Sequence, residues 1–237
     1  IGPRAFGDCT SLTGITIPDG VTSIGKSAFW ECSSLTSITI PDGVTSIGDN
    51  VFHFCSNLTS ITIPDSVTSI GKSAFGFCTS LTGIRIPDSV TSIGYAAFAN
   101  CSSLTSITIP DSVTSMGASA FGNCGSLTSI AIGNGVLSIG EYTFGNCDLK
   151  SITLPNGVTS IEMGAFNSCE SLTSITIPDS VTSIGNEAFS QCANLTAVTF
   201  LGDAPKAGEE VFDEVSPTIY RKPEAKGWGE TWGGRPV

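Results

Sequence analysis

The sequence has few charged residues and no cluster of basic ones. Only 13% of the 237 residues are charged, and the ten Lys and Arg are spread along a chain of net charge −11. Proteins bind the phosphates of nucleic acid with clustered basic side chains, so nucleic acid is excluded as the expected partner. Because 40% of the residues are hydrophobic, the low charge does not indicate disorder, and we expect a folded core.

Long apolar segments are also missing. No run approaches the roughly 20 residues that a transmembrane helix needs, and no charged-then-apolar leader opens the chain. The sequence therefore predicts neither a membrane span nor a signal peptide in this chain. Ile1 and Gly2 fall in the same phase as Ile24 and Gly25, so we expect the chain to begin in the middle of a repeat, with an N-terminal part removed.

Residues that build catalytic and metal sites are scarce. The single histidine, His53, and the lack of any C-x-x-C pair do not supply the usual ligands of zinc. The serines recur at repeat positions without a nucleophile signature, and no carboxylate pair stands at unique positions. We predict a non-enzyme without cofactor or metal. An acidic row is interpreted as turn chemistry, with calcium as the minor alternative: Asp42, Asp65, Asp88 and Asp111.

What the sequence does contain is a repeat. Each cysteine follows a phenylalanine by three residues and precedes a leucine. The step is 23 residues, broken once by a step of 22 where the segment after Cys147 is one residue shorter. The cysteines are Cys9, Cys32, Cys55, Cys78, Cys101, Cys124, Cys147, Cys169 and Cys192.

One repeat unit, begun at Cys55, follows the pattern C-x-x-L-T-S-I-T-I-P-D-S-V-T-S-I-G-x-x-A-F-x-x. The alternation of apolar and β-branched residues around Ile61 predicts a short strand. Pro64 and Asp65 predict a turn that ends it. Val67 and Ile70 then point inward from a second extended segment, and the spacing that follows fits about one helical turn.

A single unit of this kind does not bury enough apolar surface to be stable alone. Its eight or so apolar side chains contribute roughly 10 to 20 kcal/mol at about 1.5 to 3 kcal/mol each, against about 1 to 2 kcal/mol of backbone entropy per ordered residue. Stacked units cover one another's open faces. The sequence therefore predicts an elongated solenoid.

With L-x-x-I-x-I-P and V-T-S-I-G-x-x-A-F-x-x-C repeated at this step, residues 1–200 resemble the BspA-like, or treponemal-type, bacterial leucine-rich repeats. The resemblance implies a curved, right-handed leucine-rich-repeat solenoid of about nine 23-residue repeats, each with a short parallel β-strand. It also implies export to a microbial cell surface and adhesion to host or matrix proteins. The chain has Gly43, Ser66 and Ser89 where many such repeats place Asn, so we expect no asparagine ladder there.

The repeat decays after about Val198, and residues 201–237 are predicted to form a degenerate last repeat and a C-terminal cap. Phe200 and Phe212 still fit a final coil, whereas Trp228 and Trp232 stand among Gly, Pro and basic residues. A cap would cover the last hydrophobic face. A tail that binds a cell wall or a partner is the alternative.

The nine cysteines are predicted to be free thiols. Equivalent cysteines one coil apart should lie about 4.8 Å from one another at Cβ, beyond the roughly 3.5 to 4.5 Å of a good disulfide. A buried free cysteine behaves as a small hydrophobic residue.

Candidate binding residues stand where the repeat is irregular. Between Phe and Cys most units carry small or polar residues, but three adjacent units carry aromatic ones, and exposed aromatic clusters often anchor binding. We call Trp30, His53, Phe54 and Phe77 the aromatic patch, and Tyr95 is expected near its border. Packing of these rings against one another or against a missing N-terminal segment is the alternative.

The outward strand positions carry small Ser and Thr residues, a face that suits a protein, a glycan or ice but equally plain solvent. Arg85 alone interrupts it with a long side chain and is a further candidate contact. The leading hypothesis is a monomeric, adhesin-like recognition module that binds a protein or glycan ligand. A structural spacer that presents other domains is the rival.

Overall fold

Short strands form where small polar residues alternate with β-branched apolar ones. The computed structural model describes residues 1–237 and consists of strands and turns. The front strands, three or four residues long, are β1 (Ser37–Thr39), β3 (Ser60–Thr62), β6 (Ser106–Ile109), β8 (Ser129–Ile132), β11 (Ser174–Ile177), β13 (Ala197–Phe200) and β15 (Thr218–Arg221).

The second extended segment of most coils also forms a strand, two residues long. These strands are β2 (Ser46–Ile47), β4 (Ser69–Ile70), β5 (Ser92–Ile93), β7 (Ser115–Met116), β9 (Ser138–Ile139), β10 (Ser160–Ile161), β12 (Ser183–Ile184) and β14 (Lys206–Ala207). An antiparallel hairpin, β16 (Thr231–Trp232) and β17 (Arg235–Pro236), ends the chain.

All pairing between coils is parallel and follows the repeat, as a solenoid requires. The front strands form the sheets β1-β3, β6-β8 and β11-β13-β15, and the second strands form β2-β4-β5-β7 and β9-β10-β12-β14. Ser106 pairs with Ser129, one period of 23 residues along, whereas Ser138 pairs with Ser160 after 22. The shorter repeat is therefore absorbed in a turn without loss of register.

The helical turn predicted before each cysteine is not confirmed. Residues 71–78 form a series of turns in which bonds within the coil alternate with bonds to the next coil. The N–H of Ala74 donates to the carbonyl of Gly71, while the N–H of Phe75 donates to Ala97 one coil later. A helix would direct every N–H along its own axis, so alternating donation joins neighbouring coils instead.

The interior consists of aligned columns of identical residues. One cluster of 64 buried residues runs through the molecule. A stack of ten phenylalanine rings, from the half-buried Phe6 to Phe212, runs along this cluster, with neighbouring centroids 5.1 to 6.0 Å apart. Phe212 adds one coil to the nine that the Phe-to-Cys spacing identifies.

The cysteine column is present as free thiols, as predicted. All but Cys9 are buried, and each buried thiol donates to the carbonyl of a phenylalanine in the preceding coil, as Cys101 does to Phe75 at 3.2 Å. Burial raises the pKa of Cys32 to about 11 and that of Cys55 to about 12. The column is therefore a set of neutral donors that link successive coils.

Serine takes over the ladder that asparagine forms in other leucine-rich repeats. The hydroxyl of Ser66 donates to the carbonyl of Val44 at 2.7 Å, and that of Ser89 to Val67 at 2.6 Å. Sequence reasoning excluded an asparagine ladder at this position correctly but missed its serine equivalent.

At the C-terminal end, β15 pairs with β13 and extends the front sheet. The indoles of Trp228 and Trp232 lie edge-on against Phe200, with centroids 4.8 and 4.7 Å away, and Trp232 also contacts Phe212. The Trp232 indole N–H donates to the carbonyl of Pro205 at 2.8 Å. The hairpin thus lies over the last core residues.

Candidate functional site

The front strand face is less regular than its repeat suggests. Thr62 and Thr108 occupy equivalent positions on either side of Arg85, and Ala131 interrupts the same row one coil later. Residues 83–86 form no strand, because Gly83, which has low β-propensity and no side chain to pack, stands where most front strands begin with serine. A groove of about 520 Å³ is lined by residues 83–86 together with residues of the next two coils.

Arg85 lies beside this groove and is tied to the preceding coil. Its guanidinium donates to the carboxylate of Asp65 at 2.8 Å, with both side chains well exposed. The hydrogen bond that Arg85 donates to Asp65, together with the negative charge of Asp65, raises the pKa of Arg85. Arg85 is thus accessible but already has a partner.

The edge of the rod is built on a column of residues with left-handed backbone. In each coil the second residue after Phe has a φ between 57° and 62°, and in nine coils its N–H donates to a carbonyl of the next coil. We call this the edge column: Asp8, Glu31, Phe54, Phe77, Asn100, Asn123, Asn146, Ser168, Gln191 and Glu214.

Two members of the edge column are bulky aromatic residues. An L-residue in the left-handed region costs roughly 1 to 2 kcal/mol, and asparagine tolerates this backbone far better than bulky residues do. Phe54 and Phe77 nevertheless adopt φ values of 62° and 60° and remain 38% and 36% exposed. Neither the backbone nor the core explains these side chains.

His53, Phe54 and Phe77 lie in mutual contact, and we call them the aromatic trio. The rings of Phe54 and Phe77 stack with centroids 4.6 Å apart and an interplanar angle of 27°. The imidazole lies 4.3 Å from the Phe54 ring and 5.6 Å from the Phe77 ring. The trio forms one apolar ridge across two coils.

The imidazole of His53 is partly enclosed beneath this ridge. Its Nδ1 is buried without a hydrogen-bond partner and lies against the backbone of Gly76, where a Cβ would approach it to 2.6 Å. Burial lowers the pKa of His53, although the nearby backbone of Gly76 and Ser73 acts in the opposite direction. The neutral imidazole is therefore favoured, and Gly76 leaves the space for it.

Trp30 and Tyr95 do not join the trio. Trp30 is half-buried, and the guanidinium of Arg4 lies 5.1 Å from its ring centroid. Tyr95 is exposed and pairs with Lys72, whose Nζ lies 5.2 Å from the ring. The predicted aromatic patch is therefore divided into the trio and Trp30, which contacts Arg4 instead. Tyr95 contacts Lys72 and neither of these groups.

Beyond the trio the edge column changes to amides. Asn100, Asn123 and Asn146 are accessible, and their side chains form no hydrogen bond within the protein. The residues that precede them are small: Ala99, Gly122 and Gly145. Sequence reasoning missed this row, although three asparagines at the 23-residue step were visible in the sequence.

The comparisons with known proteins agree with the repeat geometry. The BspA type leucine rich repeat region matches residues 1–126 and 115–220 in six copies, which together cover most of the chain. The chain belongs to this family. Among curated proteins none matches it.

Solved structures of bacterial leucine-rich repeat proteins resemble this BspA-type chain. One from Bacteroides ovatus is 28% identical with a TM-score of 0.76, over 90% of this chain and 70% of its own. The Treponema pallidum leucine-rich repeat protein is 27% identical with a TM-score of 0.58, over 77% and 78%. One from Eubacterium ventriosum is 26% identical with a TM-score of 0.56, over 84% and 62%.

Two further features of this BspA-type chain bear on its chemistry. No three His, Cys, Asp or Glu side chains lie close enough together to hold a metal ion. This holds also for the row of turn aspartates that includes Asp65 and Asp88. No helix with the length and hydropathy of a membrane span is present.

Proposed function

We propose that this BspA-type solenoid is a non-catalytic, adhesin-like recognition module that binds a protein or glycan ligand through its edge. The aromatic trio is the binding centre, and Trp30, which pairs with Arg4 one coil earlier, is a further candidate contact. Tyr95 and Arg85 are candidate contacts outside this centre. The family resemblance supports a secreted or cell-surface location, where such a module meets its ligand.

The observation that carries the proposal is the exposed phenylalanine pair in the left-handed column. Six of the ten edge-column residues are Asp, Asn or Glu and two more are Ser or Gln. Polar residues therefore adopt this left-handed backbone in most coils. Phe54 and Phe77 add backbone strain and leave about a third of their surface exposed. Strained, exposed aromatic residues that the fold does not require indicate a function.

A structural stalk is the second candidate function. The continuous phenylalanine stack and the parallel sheets join every coil to the next, and such a rod can hold other domains away from a surface without binding anything itself. The two functions differ in whether the isolated chain binds a ligand.

The experiment is a binding panel of immobilised matrix proteins and glycans, probed with the wild-type chain and with the double variant Phe54→Asn, Phe77→Asn. Asparagine is the residue that the edge column carries at 100, 123 and 146, so the variant removes the aromatic rings without straining the backbone. We expect a ligand to bind the wild type and to lose at least tenfold in affinity with the variant.

Leu137→Thr is the matched control. Leu137 is 55% exposed and stands where most repeats have threonine, so this change removes an apolar side chain elsewhere on the surface. It should leave binding unchanged. A ligand that binds the wild type and the double variant equally would contradict the assignment to the edge, and no binding to any surface would favour the stalk.

A further inference from the structure

We propose that two copies of this chain associate side by side and antiparallel along one corner of the rod, related by a two-fold axis at its middle. The corner face consists of the two residues of each coil that follow the second extended segment and its glycine, as Lys72 and Ser73 follow Gly71. The second residue of each pair has a left-handed φ between 49° and 59°. The inference goes beyond the proposed function, because the partner is the chain itself and the face is not the aromatic trio.

The charge of the corner face changes sign half-way along the rod. Coils one to five, from the Phe6 coil to the Phe98 coil, carry three basic side chains and one acidic side chain there, whereas coils six to ten carry acidic side chains and no basic one. The basic residues are Arg4, Lys26 and Lys72, the acidic residue beside them is Asp49, and the acidic residues of the second half are Glu141, Glu187, Glu209 and Glu210. A basic half is unexpected on a chain of net charge −11.

The fold does not account for most of these charges. The protein forms two salt bridges, and Arg4, paired with Asp8, is the only corner-face residue in either of them. Lys26, Lys72 and Glu141 are exposed and form no ion pair within the chain. Unpaired charges of both signs on one exposed face favour a partner of complementary charge.

An antiparallel pair places opposite charges together. With the two-fold axis between coils five and six, each coil meets the partner's coil counted from the other end, and both copies advance by the same distance of about 4.8 Å per coil. Lys26 then faces the partner's Glu187, and Lys72 faces the partner's Glu141, each contact occurring twice by symmetry. A parallel pair in register would instead set like charges against each other.

The side chains next to the two-fold axis have complementary sizes. Tyr95 is 51% exposed and belongs to coil five. In the antiparallel pair it faces the partner's coil six, where the corner residues are the small Ala118 and Ser119. A large ring can be buried against such small residues, and tyrosine is enriched at the centres of interfaces.

One contact of the pair is unfavourable. Asp49 in coil three meets the partner's coil eight, where Met163 lies at the corner and Glu162 replaces the preceding glycine. Both carboxylates have roles in the fold. Asp49 accepts the backbone N–H of Lys72 at 2.9 Å, and Glu162 accepts the hydroxyl of Ser138 at 3.4 Å. This single like-charged contact stands against three basic residues that each meet a coil with at least one glutamate.

The size of the corner face implies a weak pair. Ten coils make a face about 48 Å long and two residues, or about 7 Å, wide. Its area is on the order of 350 Å² per copy, less than half of the roughly 800 Å² in a standard interface. We therefore expect the monomer that the sequence predicts in dilute solution, and the pair at high concentration.

Sedimentation velocity of the whole chain over a wide range of concentration tests the pair. At about 0.15 M salt, a Debye length of about 8 Å screens the repulsion between the two net charges but leaves close ion pairs. We expect the mass to rise from monomer to dimer, and the dissociation constant to rise in molar salt. A chain that stays monomeric at every concentration would overturn the inference.

Variants then locate the contact. Lys26→Glu, Lys72→Glu makes both halves of the corner face acidic and should raise the dissociation constant at least tenfold. Lys150→Glu, Lys222→Glu is the matched control, because it changes the net charge equally at exposed residues outside the corner face, and it should pair as the wild type does. Equal weakening by both double variants would show that net charge alone acts and that the face is wrong.

Charge reversal of the other half provides a rescue. Glu141→Lys, Glu187→Lys should be monomeric alone, whereas its equimolar mixture with Lys26→Glu, Lys72→Glu should pair, because each reversed charge then faces an opposite one. The restored pair would also show that both variants are folded. A mixture that stays monomeric, with both variants folded by circular dichroism, would contradict the proposed contacts.

Carbodiimide cross-linking, which joins a lysine amine to an adjacent carboxylate as an amide, determines the arrangement. The antiparallel pair predicts links from Lys26 to Glu187 and from Lys72 to Glu141. Lys72 and Glu141 are three coils, about 14 Å, apart within one chain, so their link joins two copies. Links from Lys26 to Glu141 and from Lys72 to Glu187 would instead indicate a parallel arrangement shifted by five coils. Such an arrangement grows into an open series, and it would rule out the two-fold pair.

Discussion

The edge column from Glu31 to Phe77 and the same column from Asn100 to Asn146 share one backbone and differ in chemistry. In both segments the column residues have left-handed φ values near 60° and donate their backbone N–H groups to carbonyls of the next coil. One half carries a stacked aromatic pair and the other carries free amides. Since the backbone is equal, the fold does not decide between these side chains.

The interior shows the opposite behaviour. Phe98 and Phe121 are fully buried and stack at 5.3 Å with nearly parallel rings, and the same residue recurs in every coil. An interior position is fixed by its neighbours above and below, whereas an edge position faces solvent on one side. The following predictions test this contrast between interior and edge, from the largest expected effect to the smallest.

Thiol reactivity should show the largest contrast. In the folded chain Cys9 is exposed and the other eight cysteines are buried, and burial raises the pKa of Cys124 and Cys192 to about 12. Because the thiolate is the reactive form, an aromatic disulfide reagent at pH 8 should label one thiol quickly in the native chain and all nine in denaturant. Fast labelling of several native thiols would contradict the buried column.

Replacement of an interior ring should cost the most stability. Phe98→Ala removes one member of the central stack and leaves a cavity, so we expect a loss of about 3 to 5 kcal/mol in the free energy of unfolding. Urea denaturation followed by circular dichroism measures it. Phe54→Asn is the matched comparison at the edge, and its denaturation midpoint should equal or exceed that of the wild type. A large loss in Phe54→Asn would show that the trio is structural.

Trp232→Ala tests whether the end of the segment 201–237 forms a cap. Trp232 is buried, contacts Phe200 and Phe212, and donates a hydrogen bond to Pro205. Its loss should expose the last coil, lower the denaturation midpoint and promote self-association, which light scattering detects. A soluble variant of unchanged midpoint that no longer binds its ligand would favour the binding-tail alternative.

The columns of identical residues were predictable from the sequence, because equivalent positions in stacked coils have the same surroundings and therefore need the same residue type. The Phe and Cys positions, the inward Ile and Val residues and the parallel pairing all follow from the 23-residue step. The turn before Cys78 was not predictable from apolar spacing, because that spacing fits one helical turn as well as a series of β-turns. The left-handed backbone of the edge column was also missed, because residues as different as Phe and Asn occupy this column and their types do not indicate one common backbone conformation.

The candidate site shows the same division. The sequence indicated that the aromatics of neighbouring units would come together, and His53, Phe54 and Phe77 do so. It did not indicate that Trp30 would lie apart beneath Arg4 or that Tyr95 would pair with Lys72. Column membership follows from the period, whereas contacts between neighbouring columns depend on side-chain direction.

Acidification should weaken the trio through His53. Burial lowers the pKa of the folded imidazole below its ordinary value of 6.5, so the unfolded chain binds more protons in that range. The contribution of His53 to the free energy of unfolding is therefore fully present above about pH 6.5 and decreases as the pH drops from there to the folded pKa. The denaturation midpoint of His53→Gln should fall less between pH 7 and pH 5 than that of the wild type. If the midpoints of the wild type and the variant fell equally between pH 7 and pH 5, His53 would not contribute to the pH dependence of stability.

Arg85→Thr should have the smallest effect, although it breaks one of two salt bridges in the protein. The side chains of Arg85 and Asp65 are 65% and 77% exposed, and solvent and salt screen such a pair. Threonine also restores the row between Thr62 and Thr108, and it favours strand formation at 83–86. We expect no measurable change in the denaturation midpoint and, if the edge is the binding surface, none in ligand affinity. A tenfold loss of affinity at constant midpoint would instead place the front face in the binding site.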